Sequence, residues 1–382
     1  MELQASVIRW SSLLGMRVLT FLLIAGAIAL DAKAQRVFPF GSGTTGTVYD
    51  LEVFQNELVI GGLFGAMNGH VRKHLVAWNG SGYNDMGASF STTADRAYAL
   101  QLLGSDLIVG GVEAAFGNIG RWDGSEWHSM AEGFPAAVRS MVLFNGEVVA
   151  GGDQGLIKKW DGLQWFVLLD NSTGSIRALE VHQGILYAGT DFPPYLMAWD
   201  GSTWQAVTDG LNAAVNDMIL YNGDLLIGGS FTATGSGTTE LMHLAKFDGT
   251  DLTHDGLPGV TTSVTSMCVG PDDQGVIIAG GNNAVHLTTG RPMTWVPPGA
   301  RTLASYNGRQ FIGGFFFAER ELAIRGFAEL VPGSDIEYLD VSNIKVYCTP
   351  TPRLNSDPFS QNAAGFEAPI GSGRHAIYSA VP

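Results

Sequence analysis

Charge is scarce in this chain. Of 382 residues only 15% are Asp, Glu, Lys or Arg, and 21 basic residues against 36 acidic ones leave a formal charge of −15. The basic residues are scattered singly, so no Lys/Arg stripe exists to neutralise a phosphate backbone, which excludes nucleic acid as a partner. The acidic residues do not fall into calcium-loop spacing, and the negative balance reads as solubility outside the cell. Cysteine is scarcer still: Cys268 and Cys348 are too few for a disulfide framework. Cys268 falls in an apolar, strand-like run and reads as a buried free thiol. Neither cysteine has a His or Asn partner motif nearby, which excludes a recognisable thiol nucleophile.

Glycine and tryptophan are what the chain does have, 51 and 9 of them, a turn-rich composition in which helix is not expected to dominate. The heptapeptide Arg121-Trp122-Asp123-Gly124-Ser125-Glu126-Trp127 recurs as Lys159–Trp165 and Ala198–Trp204. Weaker copies stand at Trp78-Asn79-Gly80 with Tyr83 and at Phe247-Asp248-Gly249 with Leu252. Each reads as a tight turn between two strands, with positive φ supplied by Asp-Gly or Asn-Gly and the aromatics buried against the next copy.

A second signature, a short apolar run ending in glycine, places its first glycine at Gly61, Gly110, Gly151, Gly189, Gly228, Gly280 and Gly313. The successive spacings are 49, 41, 38, 39, 52 and 33 residues, in the range of propeller blades. Continuous apolar runs imply strands covered on both faces, and glycine at the strand end allows close backbone approach or a bulge. Asn145-Gly146, Asn222-Gly223 and Asn307-Gly308 would join first strands to second, and the Trp-Asp-Gly turns third to fourth. The expected fold is all-β, a seven-bladed propeller of four-stranded antiparallel blades over residues 35–333. Val37–Phe40 matches the end of a repeat, and the last repeat lacks a fourth strand. An N-terminal strand should therefore close the ring.

The apolar run, Gly-Gly and paired aromatics resemble the kelch and galactose-oxidase type of propeller repeat. The Trp-Asp-Gly variant is similar to the fungal cortical polarity-marker propellers. The aromatic spacing is shorter than in kelch repeats, the Gly-His pair of WD repeats is missing, and Asp123 and Gly124 are adjacent, unlike the sialidase aspartate box. The resemblance therefore implies a fold and carries over no catalytic residue.

Both termini read as addresses. Arg17, the apolar run Val18–Leu30 and Ala32-Lys33-Ala34 form a signal peptide, residues 1–34, too short for a comfortable membrane span. An uncleaved anchor is the alternative. Residues 334–382, with Ile344–Pro350 and later aromatic strands, resemble the opening of a Bacteroidota type IX sorting domain. Cys348-Thr349 stands where that family has Pro-Asn. An unrelated tail is the other reading. A secreted or outer-surface protein follows, with no stable membrane span once the signal is cleaved.

No site announces a reaction. His70 and His74 are four apart in a segment that is not helical, so they read as a solvated loop, and neither a metal nor a cofactor is expected. Asp50, Asp153, Asp191 and Asp217 read as turn or strand-end residues, although a propeller can bring distant acids together. One column does draw attention. Tyr49, Tyr98, Arg139, Arg177, Asn216, Thr265 and Arg301 open the successive first strands, and in a propeller they ring one channel mouth. Arginines beside aromatics there could hold an anionic or sugar-like ligand. The competing reading is that they hydrogen-bond neighbouring loops and close the funnel. The favoured function is a noncatalytic binding module for a glycan or surface protein, with an extracellular glycosidase or lyase as the alternative.

Overall fold

The computed structural model describes residues 36–87, 90, 92–269, 276–280, 283–286, 299–318 and 324–331. All of them fall in one compact unit, Gln35–Val331. Residues 1–34, expected to be a signal peptide, Cys348 and the tail 334–382 lie outside the described residues. Every regular element among the described residues is a strand. Among the described residues no helix is long and apolar enough to cross a membrane.

The molecule is a β-propeller of four-stranded antiparallel blades. Six sheets have four strands each and a further sheet has three described strands, 264–269, 276–280 and 283–286. In chain order the first strands are Thr47–Phe54, Arg96–Leu103, Val138–Phe144, Ile176–His182, Val215–Tyr221, Val264–Val269 and Ala300–Tyr306. We number the sheets 1 to 7 by these strands. Each first strand contacts the next, and the seventh contacts the first, so they form a closed cycle. The core lies between sheets: Gly110 of sheet 2 sits under Val138 of sheet 3, where an added Cβ would come within 2.6 Å of Val138 Cγ1. That contact is why glycine ends the apolar run.

The two kinds of turn use different chemistry. Between first and second strands, Asn145 (φ 53°) and Gly146 (φ 81°) both take positive φ, as a two-residue hairpin of type I′ requires. The Trp-Asp-Gly turns depart from the sequence reading. Trp122 pairs with Trp127 across four residues, and only Gly124 (φ 102°) has positive φ. Asp123 contributes its carboxylate: Oδ1 accepts the Ser125 and Glu126 amides at 2.7 and 2.8 Å. Asp161 and Asp200 make the same pair of bonds in sheets 3 and 4. Aspartate is needed there as an acceptor, not for its backbone freedom.

The aromatics tie each blade to the one before it. Trp127 Nε1 donates to Met86 O, Trp165 Nε1 to Met130 O and Trp204 Nε1 to Leu168 O, at 2.6, 2.9 and 3.2 Å. Each acceptor belongs to the stretch around the previous sheet's outer strand. Trp165 is buried and its ring lies 5.2 Å from those of Phe134 and Trp160. Replacing it with Phe keeps most of the apolar area but leaves the Met130 carbonyl without its donor. We expect Trp165→Phe to lower unfolding free energy by about 1–3 kcal/mol in urea titrations. An unchanged midpoint would show that this hydrogen bond contributes nothing net.

The last sheet is completed by the start of the chain. Its order is 36–39, 324–331, 309–318, 300–306, and Arg36 to Pro39 pair in antiparallel register with Val331 to Ala328. The N-terminal strand occupies the position left empty by the final repeat.

Candidate functional site

Each of the seven first strands carries a β-bulge at the same place. The ladder to the second strand skips one residue between Val48 and Asp50, Ala97 and Ala99, Val138 and Ser140, and Ile176 and Ala178. It does so again between Val215 and Asp217, Val264 and Ser266, and Ala300 and Thr302. The skipped residues are Tyr49, Tyr98, Arg139, Arg177, Asn216, Thr265 and Arg301. A bulge leaves its residue out of the ladder and re-aims its side chain, which is why this column is polar beside apolar neighbours. All seven line one cavity of about 830 Å³, the axial channel, to which every first strand contributes. The sequence reading grouped these residues, and the structure brings the whole group together.

Their side chains form a connected rim. The Arg301 guanidinium lies over the Tyr49 ring at 5.3 Å, Tyr49 and Tyr98 rings are 4.8 Å apart, and Arg139 lies over Tyr98 at 5.0 Å. Arg139 holds Asp153 through two hydrogen bonds, Nε to Oδ1 and Nη2 to Oδ2, the second at 2.9 Å. Asp153 also accepts from Ser175 Oγ at 2.8 Å. Arg177 pairs with Asp191 at 3.1 Å and donates to Asn216 Oδ1 at 2.8 Å. Asn216 in turn donates to Val264 O at 2.7 Å. Burial raises the Tyr49 phenol, with Tyr98 adding to the shift and Arg301 opposing it. Hydrogen bonding to Asp153 holds Arg139 firmly protonated.

Two of the three arginines already hold a carboxylate. Arg139 and Arg177 are neutralised within their own sheets by Asp153 and Asp191, which follow the second strands. These two and Asn216 do make hydrogen bonds to neighbouring residues, while the channel they line stays open. Asp153 and Asp191 are strand-end residues, as expected. Reading the position just after the second strand alongside the arginine column would have exposed both ion pairs.

Asp50 and Asp217 are not strand-end residues. They lie inside the first strands, one place after the bulge, and bind the next sheet: Asp50 Oδ2 accepts Leu100 N at 2.8 Å and Asp217 Oδ2 accepts Met267 N at 2.6 Å. Their Oδ1 atoms accept Leu51 N and Met218 N. Ser140 does the same work in sheet 3, its Oγ accepting Leu179 N at 2.9 Å. The two carboxyls keep part of their surface open to the channel while protein surrounds their other sides. That burial pushes Asp50 up to about 7 and Asp217 to about 6, against the hydrogen bonds that favour the charged form. Glu52 and Glu180 are also raised by burial. Cys268 lines the same cavity as a buried free thiol, pushed up to about 12 by burial with Asp217 adding to it, which keeps it inert as a nucleophile.

The loops that carry the rim's outer surroundings share its face. The long loop after the second strand of sheet 1 meets the segment leading into its first strand: Asn68 N donates to Gly43 O at 2.8 Å. In sheet 5 the two segments meet likewise, Asn212 N donating to Ala233 O at 3.1 Å. His70 is exposed, but His74 is buried, correcting the solvated-loop reading. Its Nε2 lies 2.8 Å from Thr92 O, and its main chain turns with φ 56° into the third strand. On the opposite face, Asp123, Glu126 and His128 place possible metal-ligating atoms within 4.8 Å of one another. The Asp123 oxygens are already occupied by the turn amides and by His128, whose hydrogen bond is the main cause of that carboxyl lying well below the usual range.

No protein-family model matches the sequence, and no curated protein matches it. Solved structures do match in fold. The computationally designed Ika8 protein is 15% identical with a TM-score of 0.51, over 78% of this chain and 98% of its own. YCF48, in a structure bound to D1 peptide, is 15% identical with a TM-score of 0.53, over 79% of this chain and 97% of its own. The extracellular domain of BT4673 from B. thetaiotaomicron is 13% identical with a TM-score of 0.56, and 78% of this chain covers 40% of that one. At these identities the likeness is one of fold.

Proposed function

We propose that this chain is a noncatalytic binding propeller of the cell exterior, taking a glycan or surface protein at the mouth ringed by Tyr49, Tyr98, Arg139, Arg177, Asn216 and Arg301. One observation carries the reading: bulges at the same place in all seven first strands turn these side chains onto a single cavity. Two adjoining tyrosine rings and two fixed Arg–Asp pairs suit a polyhydroxyl group, which needs apolar ring surface and paired donors and acceptors. The YCF48 structure holds a peptide, which supports binding as a use of this fold. We count seven blades, the three-stranded sheet standing sixth in the closed cycle of first strands. The repeats are read as kelch and galactose-oxidase type on their apolar-Gly-Gly and aromatic spacing. Residues 1–34 and 334–382 are read as export signal and type IX address on the motifs quoted above.

The extracellular glycosidase or lyase remains the second reading, favoured by Asp50 and Asp217, two channel-lining carboxyls raised toward neutrality. Against it, both acids spend their oxygens on main-chain amides. A glycan and surface-protein array separates the two. Tyr49→Ala combined with Tyr98→Ala should lose at least about tenfold in affinity for whatever the intact protein binds, without turnover of that ligand. Retained binding, or binding that responds only to changes in the Trp-Asp-Gly turns, would place the site elsewhere. Ligand cleavage abolished by Asp50→Ser would make the protein an enzyme.

A further inference from the structure

In sheets 1 to 5 each bulge residue is matched by the residue that follows the second strand's paired small residues; the matching position of sheet 6 lies outside the described residues. Tyr49 is matched by Leu63, Tyr98 by Val112, Arg139 by Asp153, Arg177 by Asp191 and Asn216 by Ser230. Apolar goes with aromatic, carboxylate with guanidinium, hydroxyl with amide. Sheet 7 breaks the rule. There the bulge residue is Arg301, and the corresponding position is Phe315.

The main chain fixes the correspondence. Asp153 N donates to Ala137 O at 2.9 Å, Asp191 N to Ser175 O at 3.2 Å and Phe315 N to Gly299 O at 2.9 Å, in each case two residues before the arginine. Phe315 thus occupies the backbone position of the missing aspartate. Its residue surface is 56% exposed. Among the described residues Arg301 has no carboxylate within ion-pairing distance, whereas Arg139 and Arg177 each have one. Its guanidinium rests over Tyr49 and is exposed. Among the described residues the rim therefore presents Arg301 as a cation without a carboxylate, with Phe315 at the matching position, while the complete ion pairs belong to sheets 3 and 4, three sheets away around the ring.

We propose that the mouth selects a carboxylated sugar, a uronate-type residue of an acidic polysaccharide, with its carboxylate on Arg301 and a ring face against Phe315. This rests on the reading of the mouth as the binding site and names the ligand class. An arginine fork suits a planar carboxylate bidentately. The fixed Arg139–Asp153 and Arg177–Asp191 pairs suit vicinal hydroxyls, which favours a sugar over an acidic peptide. The charge of −15 does not oppose this at contact range, because exposed charges beyond about 8 Å are screened at physiological salt.

Titration calorimetry at about 0.15 M salt with trigalacturonic acid, neutral galactotriose and hexaglutamate tests the proposal. The intact protein should bind the acidic trimer at least about tenfold more tightly than the neutral one. Arg301→Ala should erase that difference. So should Phe315→Asp, which restores the carboxylate found in sheets 3 and 4 and so satisfies Arg301 internally. Since Arg301 is exposed, its alanine variant keeps the test decisive even if Phe315→Asp fails to fold. Equal binding of both trimers, lost on Tyr49→Ala, would overturn the carboxylate assignment while leaving the mouth as the site. Preference for hexaglutamate would overturn the sugar. Acid binding undiminished in both variants would remove Arg301 from recognition, and no binding of any probe would count against the glycan-binding mouth itself.

Discussion

A chain lacking residues 36–40 should melt at least about 6 °C below the intact protein. The expectation follows from what that segment completes. Four residues pair with Val331 to Ala328, covering an edge that would otherwise expose a row of unpaired amides and carbonyls. Phe40 then inserts between the first and last sheets. Its ring centroid lies 4.8 Å from Trp78, 5.6 Å from Phe311 and 5.5 Å from Phe327, with the Arg309 guanidinium 5.6 Å away. The ion pair of Arg309 with Glu329 anchors that cation on the strand next to the clasp. Half-buried aromatic contacts of this kind put Phe40→Ala at about 2 kcal/mol, with the ladder contributing at least as much again. For a domain of this size roughly 1.5 °C of melting temperature corresponds to 1 kcal/mol. Phe40→Ala alone should thus lower it by about 3 °C, and the deletion by twice that or more. The deleted protein should also associate with increasing concentration, since the uncovered edge can recruit another chain. Differential scanning calorimetry and light scattering measure both, and a deletion that melts with the parent would show that the ring closes without its clasp.

The second large effect is a dependence of stability on pH that the channel acids impose. Asp50 is held near 7 in the fold against 3.8 as its ordinary value, and Asp217 near 6. Both are raised, so the folded protein binds the proton more tightly than the unfolded chain does. Their contribution is fully present below about pH 4 and is lost as pH rises through about 6 to 7. A three-unit difference corresponds to about 4 kcal/mol at most, and the opening to channel water brings the figure for Asp50 nearer 2. Carboxyls in the aromatic-Asp-Gly turns run the opposite way: Asp123, Asp161, Asp200 and Asp248 are lowered and lose their contribution as pH falls. They cancel in a comparison between variants. Asp50→Ser copies Ser140, which accepts the equivalent amide without charge. Relative to the parent, the serine variant should gain about 2 kcal/mol between pH 4.5 and pH 8 in urea unfolding. Parallel pH profiles for the two proteins would mean that Asp50 does not titrate in this range.

Much of the architecture was legible from local chemistry. Asn-Gly at positions 145–146, 222–223 and 307–308 names its own turn, because few other pairs tolerate two positive φ angles. The apolar runs ending in glycine marked the second strands, and the orphan Val37–Phe40 found its place because the last repeat lacked a partner for it. The polar column at the strand starts was visible as a break in an apolar pattern, which is a one-dimensional property. What the column does was not. The bulge that aims Tyr49 or Arg139 into the channel depends on a ladder between two strands, and the Arg139–Asp153 pair joins residues fourteen apart through that same ladder. Asp50 looked like a turn residue because its acceptor role is toward Leu100, fifty positions away on another sheet. Repeat spacing, turn types and the apolar strands are set by forces between near neighbours in the chain, and the sequence alone determined them. The raised carboxyls of the channel and the burial of His74 come from contacts between sheets, and the spent arginines from pairing of first and second strands within one sheet, neither of which exists until the strands are assembled.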